Sequence, residues 1–274
     1  MRSFPPVQSV QRALRLLSEL NKQRVTTVGD LHQRIGLPKP TIVRLLETLI
    51  EAGYVSSDRR LGGYQVTSQV AMLSCGFHGS PMVIEAARPW AINLTRELKW
   101  PASLAVLSGD AVTVSFSTIP DSPVSPFHAT INMRLSLISR GLGRAYLAFC
   151  PRTERELLIR MLASSSDPED HPDDLDEVVR HLVRSVRSRG FAERDPKVEP
   201  KSSSTVAVPI MAGKRVLATF GLTYFRSAVQ PMAVREQLVR PLQAAARQIE
   251  ASIEKMHAAE AGAAGRGGSA LPSS

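Results

Sequence analysis

The sequence predicts an α+β chain made of a small helical N-terminal unit, a connecting helix and a larger mixed domain. Three observations lead there. The chain has 274 residues, helical apolar spacing gives way to a hairpin before residue 68, and strand-like and helix-like segments alternate beyond it. Domains usually run about 100–200 residues, so a chain of this length divides into about two. Hydrophobic residues make up 43% and charged residues 22%. That is enough apolar surface for a buried core and excludes disorder over the whole chain. No stretch reaches the ~18 apolar residues of a membrane span. Residues 1–11 carry one charge, two prolines and no apolar run, so they do not read as a signal peptide. Two cysteines, Cys75 and Cys150, are too few for a disulfide framework. The expected compartment is the cytoplasm, with no membrane partner.

Charge gives the first functional hint. Lysine and arginine number 34 against 25 acidic residues, a net charge of +9. More than half of that excess, +5, lies in residues 1–68. A local basic excess favours a polyanionic partner.

The first elements fit such a partner. Val10, Leu14, Leu17 and Leu20 recur at helical spacing and predict a helix with one apolar face, capped by Ser9. A short second helix begins near Thr27, with Val28, Leu31 and Ile35 on its apolar side and Gly36 as its stop. The third spans about residues 38–52. Its early prolines are tolerated because first-turn N–H groups have no intrahelical partner. Ile42, Leu45, Leu46, Leu49 and Ile50 form its buried stripe, and Arg44 lies opposite, beside Pro40, Thr41 and Thr48.

Two helices, a tight turn and a third helix with Thr and Arg at its start make a helix-turn-helix pattern. Arg44 suits a bidentate contact to a guanine edge, Thr41 a phosphate or a thymine methyl, and Lys39 a phosphate. Residues 54–57 and 64–67 then read as strands around a turn at 58–63. With Arg59 and Arg60 at its tip, this hairpin reads as a wing that contacts phosphates or the minor groove. The competing reading is a small helical bundle with a solvated basic face, and the arginine-tipped hairpin weighs against it.

Beyond residue 68 the chain reads as a linker helix over about 70–79, broken by Ser80-Pro81. Residues 83–99 form a helix with Ile84, Ala87, Ala91, Leu94 and Leu98 inward, stopped by Trp100-Pro101. Residues 102–107 and 111–118 read as strands joined by Ser108-Gly109-Asp110. A Pro-rich loop occupies 120–134. Residues 142–149, 153–162 and 175–189 read as helices, and 204–210 and 216–225 as strands. The last helix covers about 231–256 with Leu238, Leu242, Ala245, Ile249 and Ile253 inward. The Ala/Gly/Ser-rich remainder is expected to be disordered. The expected divisions are a winged helix-turn-helix at 1–68, a linker helix at 69–80, a ligand domain at 81–257 and a tail at 258–274.

The larger part lacks the signatures of a catalyst. It has no C-x-x-C, H-E-x-x-H or G-x-S-x-G motif, so neither a built metal site nor a nucleophile elbow is expected. Cys75 and His78 share C-x-x-H spacing, which alone does not make a ligand set. Gly141-Leu142-Gly143-Arg144-Ala145-Tyr146 starts like a dinucleotide fingerprint, but Tyr146 stands where that motif needs Gly or Ala. Asp170, Asp173, Asp174 and Asp176 read as a solvated helix start favoured by the macrodipole. No cofactor and no catalytic residue are expected. The alternative, a catalytic ligand domain with an incidental helix-turn-helix, would show itself by turnover of an aromatic acid.

Several segments carry a resemblance: Ser9-Val10-Gln11-Arg12-Ala13-Leu14, Ile35-Gly36-Leu37-Pro38-Lys39, Arg44-Leu45-Leu46-Glu47-Thr48-Leu49 and Ala52-Gly53-Tyr54-Val55. With Arg140-Gly141-Leu142-Gly143-Arg144-Ala145 and Ser204-Thr205-Val206-Ala207-Val208-Pro209, the chain resembles the IclR family of bacterial transcriptional regulators over about residues 8–256. The resemblance implies a winged helix-turn-helix, a linker helix and a GAF-like α/β effector-binding domain. It also implies double-stranded operator DNA as partner and a homo-oligomer, dimer or tetramer. Pro40 stands where the family usually has Ser, which removes a hydroxyl and a backbone donor at the DNA-facing helix start. Trp100-Pro101, Phe127-His128 with Arg134, Leu147-Ala148-Phe149-Cys150-Pro151 and Met161-Leu162-Ala163-Ser164 are similar to the subgroup regulating aromatic-acid breakdown, of the 3-hydroxyphenylpropionate activator type.

The resemblance also implies an effector cavity between one face of the sheet and the helix that follows Gly141. The matching positions are Leu142, Ala145, Arg194, Thr205, Gly221 and Thr223. Family members that bind small oxo acids tend to have Asp, Cys and Ser at several of them. Gly221 is expected to leave room, and a wider cavity with an arginine suits an aromatic carboxylate, which a guanidinium binds bidentately. Arg134 or Arg194 is expected to hold the carboxylate, with His128 facing a ring hydroxyl. The alternative is an IclR-type repressor responding to a different small organic acid. Activation and repression depend on where the operator lies relative to the promoter.

Overall fold

The computed structural model describes residues 5–58, 60, 62–73, 82–165, 167–170 and 174–266. The chain divides into two compact units, Met1–Gly79 and Ser80–Ser274.

The first unit holds α1 (Gln8–Leu20), α2 (Val28–Ile35), α3 (Lys39–Glu51), β1 (Val55–Asp58), β2 (Gly63–Val66) and a short α4 (Gln69–Met72). Its core gathers Leu16, Leu17, Leu20, Leu31, Ile35, Ile42, Leu46 and Val55. Thr27 and Asp30 close a reciprocal capping box at the start of α2, each side chain accepting from the other's backbone N–H at 3.2 Å. Gly36 ends α2 in the left-handed conformation at φ +75°. β1 and β2 pair antiparallel from Val55 opposite Val66 to Asp58 opposite Gly63.

Three local expectations are corrected here. The buried residues of α1 are Leu16, Leu17 and Leu20, in the half that packs against α2 and α3, while Val10 and Leu14 are 55% and 58% exposed. Ser9 lies inside α1 and no side chain caps the helix, whose N-cap is Val7. Ile50, at the end of the α3 stripe, is exposed. A short helix, α4, opens the segment expected as a linker, and residues 74–81, with Cys75 and His78, lie outside the described residues.

The second unit is a six-stranded antiparallel sheet between two helical layers. Its elements are α5 (Met82–Leu98), β3 (Ala102–Ser108), β4 (Ala111–Ser117), β5 (Arg134–Ser136), α6 (Gly141–Phe149), α7 (Arg152–Leu162), α8 (Leu175–Arg189), β6 (Ala192–Glu193), β7 (Ser203–Ala212), β8 (Arg215–Phe225) and α9 (Arg240–Arg266). A π-helical turn at Arg235–Val239 leads into α9. The strand order is β5-β4-β3-β8-β7-β6.

The period-2 alternation of the strands builds two cores. Leu104, Val206, Val208, Phe220 and Leu222 face the layer of α5 and α9. Ala105, Val112, Val114 and Ala207 face the layer of α6, α7 and α8.

β5 and β6 lie where a loop or no element was expected, because three and two residues are too short to show alternation. The last helix continues to Arg266, past residue 256 where the apolar spacing ended it. Alanine-rich sequence reads as low complexity, yet alanine is the strongest helix former. Among the described residues no helix is long and apolar enough to cross a membrane.

Candidate functional site

On α3 the exposed side is polar and basic. Lys39, Pro40, Arg44 and Thr48 are exposed and Thr41 is half-buried, opposite the inward Ile42 and Leu46. Thr48 Oγ1 donates to the Arg44 carbonyl at 2.9 Å, so its hydroxyl proton is used within the helix. Pro38 is the N-cap and no side chain caps the helix, which leaves its first turn open toward an anion. On the hairpin, Arg60 is exposed and its backbone N–H donates to Asp58 at 2.8 Å, tightening the turn. Arg59 lies outside the described residues. Among the described residues no carboxylate pairs with Lys39, Arg44 or Arg60. Cations left free on a helix start and a hairpin tip are the electrostatic footprint of phosphate binding.

In the second unit the sheet face under α6 opens into a pocket. Ser103, Thr205 and Thr223 supply its polar floor, because the side chains between them on β3, β7 and β8 turn to the other core. Thr205 and Thr223 are register partners with Oγ1 atoms 3.0 Å apart. Val114, Phe127, Met133, Leu135 and Leu142 make an apolar wall. Arg140, Gly141, Arg194 and Thr130 complete the lining. A Cβ on Gly141 would sit 2.8 Å from the Thr205 carbonyl oxygen and 3.3 Å from Arg194 N. Glycine there lets α6 start against the sheet. The glycines that hinted at a dinucleotide fingerprint serve helix–sheet contact.

Arg194 is the focal group. It is 3% exposed. Its Nη2 donates to the Pro200 carbonyl at 2.6 Å, to the Ser203 carbonyl and to Ser203 Oγ at 3.1 Å. Among the described residues no carboxylate pairs with it, and its Nε is buried without a hydrogen-bond partner. Burial, with Arg140 and Arg226 nearby, pushes the guanidinium pKa down to about 10. Thr130 Oγ1, in the same lining, is also buried without a partner. Buried polar groups are nearly always hydrogen-bonded, so two orphans in one apolar-walled pocket define a place for a polar ligand. The N-terminus of α6, with no side-chain cap, adds its positive dipole end.

Of the residues expected from sequence, Leu142, Arg194, Thr205 and Thr223 meet in this pocket. Ala145 is one turn further along α6 in the core, and Gly221 lies beneath Leu142. Arg134 is engaged elsewhere: its guanidinium meets Asp167 at 2.6 Å, Asp170 at 2.7 Å and Asp110 at 3.0 Å. His128 is exposed on the loop before β5 and is not part of the lining. Sequence reasoning missed Arg140, Ser103 and Thr130. Arg140 was within reach as the residue before the first glycine of α6, while the other two show themselves only through the strand register and the loop path.

An exposed basic reading helix in one unit and an anion-suited pocket in the other define the class, a DNA-binding regulator with an effector domain. The comparisons place the chain within it. Residues 9–59 match the IclR helix-turn-helix domain and residues 78–251 match the bacterial transcriptional regulator IclR C-terminal domain. The chain belongs to the IclR family of bacterial transcriptional regulators and is not an enzyme.

It is 25% identical to the Pca regulon regulatory protein of Pseudomonas putida over 246 residues, 88% of this chain and 82% of that one. It is 25% identical to the HTH-type transcriptional regulator XynR of Escherichia coli, over 86% of this chain and 94% of that one. Among solved structures, IclR of Thermotoga maritima shares the fold at TM-score 0.61 and 16% identity, covering 89% of this chain and 97% of that one. An IclR homologue from Microbacterium hydrocarbonoxydans, complexed with 4-hydroxybenzoate, does so at 0.58 and 21%, covering 90% and 99%.

Proposed function

We propose that this regulator controls an aromatic-acid catabolic operon, with a small aromatic carboxylate held in the pocket under α6. The carrying observation is Arg194, a buried guanidinium with no carboxylate partner among the described residues and an orphaned Nε, beside the apolar wall of the pocket. The guanidinium edge receives the carboxylate and the apolar wall packs the ring. Phe127 offers the ring an aromatic neighbour, and Thr130 Oγ1 is placed for a polar substituent. The 4-hydroxybenzoate carried by a homologue of the same fold belongs to that ligand class.

In this reading residues 1–68 read the operator, 69–80 connect, and 81–257 hold the effector. The protein works in the cytoplasm, where its operator is. Lys39, Arg59 and Arg60 meet phosphates, Arg44 reads a base edge, and Thr41, Thr48 and Pro40 flank it. The protein acts as a homo-oligomer, since helix-turn-helix dimers span two half-sites about 34 Å apart. Val7, Val10 and Leu14, 63%, 55% and 58% exposed along α1, form an apolar strip suited to a second copy. The acid must bind one arrangement of that oligomer more tightly than another, or it shifts nothing.

The test is fluorescence anisotropy on the upstream intergenic DNA at fixed salt, with and without 3-(3-hydroxyphenyl)propionate. Sequence-specific binding that changes with the acid supports the reading. Specific binding that ignores this acid but responds to a small aliphatic acid moves the effector to another class.

A further inference from the structure

Two guanidiniums line the pocket, and the structure treats them oppositely. Arg194 has no carboxylate partner among the described residues. Arg140 has one built in. Its Nε donates to Glu169 Oε2 at 2.8 Å and its Nη2 donates to Glu169 Oε1, a two-point match of fork to carboxylate. Ser139 Oγ donates to the same Oε2 at 2.5 Å. The remaining nitrogen, Nη1, donates to the Glu199 carbonyl at 3.3 Å. The fork that would grip a ligand is therefore occupied.

Glu169 is also held in place from behind. Its backbone N–H donates to Asp167 Oδ1 at 3.0 Å, and Asp167 and Asp170 on either side of it bind Arg134. Glu169, just before the acidic run that the sequence presents as a plain helix start, is thus fixed on a guanidinium of the pocket lining. An intramolecular carboxylate with its ordering already complete outcompetes one arriving from solvent.

We propose that Glu169 is a specificity-determining residue. It fills the second cationic position of the pocket, so that the protein selects an acid with one carboxylate over the same acid carrying two. This rests on the reading that the pocket holds a small organic acid. Arg194, Arg140 and Glu169 together present one net positive charge, matched by a monoanion. A dianion would have to displace Glu169 or bury its second carboxylate unpaired. Without Glu169, both guanidiniums are available to two carboxylates on one carbon.

The experiment is calorimetric titration of the full chain with two probes. One is 3-(3-hydroxyphenyl)propionate. The other is (3-hydroxybenzyl)malonate, the same molecule with a second carboxylate on the carbon bearing the first. The wild type should prefer the monoacid at least tenfold. Glu169→Gln should cut that preference at least tenfold, chiefly by tighter malonate binding, and adding Arg140→Gln should cancel the gain. Ser139→Ala, which loosens Glu169 without leaving a charge unpaired, should move the preference in the same direction by a smaller factor.

An unchanged preference in Glu169→Gln and Ser139→Ala overturns the proposal, as does a wild type that binds both probes equally. If the wild type binds neither probe nor any other small carboxylate, the reading of the pocket falls, and this proposal with it.

Discussion

Gly221 and Leu142 meet across the inner face of the sheet: a Cβ on Gly221 would lie 3.0 Å from Leu142 Cδ2 and 2.9 Å from the Val206 carbonyl oxygen. The room that glycine leaves is therefore taken by the α6 leucine, not by ligand space. Gly221→Ala should push α6 outward and lower stability by about 1–3 kcal/mol, the usual cost of overpacking. Chemical denaturation of the two proteins side by side checks it. A wild-type midpoint would show that α6 can shift freely.

Arg194→Lys keeps a charge but loses the fork, so acid affinity should fall at least tenfold. Arg194→Gln should do more, and should also cost about 1–3 kcal/mol of stability, because the Ser203 and Pro200 carbonyls lose a charged donor. Calorimetry and thermal melting separate the two effects. Arg134→Gln is the contrast: with its guanidinium committed to Asp110, Asp167 and Asp170, acid binding should change less than twofold while melting temperature drops.

Stability should fall in acid, in a defined direction. Hydrogen bonds from Arg140 hold the Glu169 carboxyl below its ordinary value of 4.5 against the upward push of burial, and Ser139 helps. The folded pKa lies below the unfolded one, so the unfolded chain takes up the proton first as pH falls. The stabilisation is full above pH 4.5 and drains as pH drops through the lowered value. Asp110 adds in the same sense: burial pushes its carboxyl up, but the hydrogen bond and charge of Arg134, with smaller hydrogen bonds, together bring it below its ordinary value. Melting temperature measured from pH 6 down to about pH 3 should decline less steeply in Glu169→Gln. Parallel curves would count against the Arg140–Glu169 pair in solution.

On the DNA side, Lys39→Ala should weaken binding to all sequences alike and reduce the salt slope by about 1, as expected for one phosphate contact. Arg44→Ala should instead cost about 1–3 kcal/mol on the operator and little on random DNA. Thr27→Ala removes one half of the capping box of α2 and should lower the stability of the first unit by about 1 kcal/mol without changing either contact.

Much of this was legible in the sequence because long periodic elements announce themselves. The α3 stripe apart from Ile50, the Ser108-Gly109-Asp110 hairpin and the inward residues Ile84, Ala87, Ala91 and Leu94 of α5 follow from spacing alone. The failures have physical reasons. Val10 and Leu14 keep helical spacing yet stay exposed, because α2 and α3 cover only the second half of α1. β5 and β6 are pairing events of three and two residues with no pattern of their own. Arg134 and Arg194 look alike in sequence. Only the fold shows that, among the described residues, three carboxylates claim Arg134 and none claims Arg194.

The most direct measurement joins the pocket to the DNA. Anisotropy of labelled upstream DNA should be followed while 3-(3-hydroxyphenyl)propionate is added to the wild type and to Arg194→Gln at the same salt. The account predicts that the acid shifts operator affinity in the wild type and leaves the variant, still DNA-bound, unmoved. An equal shift in both proteins would contradict it, because the acid would then be acting without the arginine at the centre of the pocket.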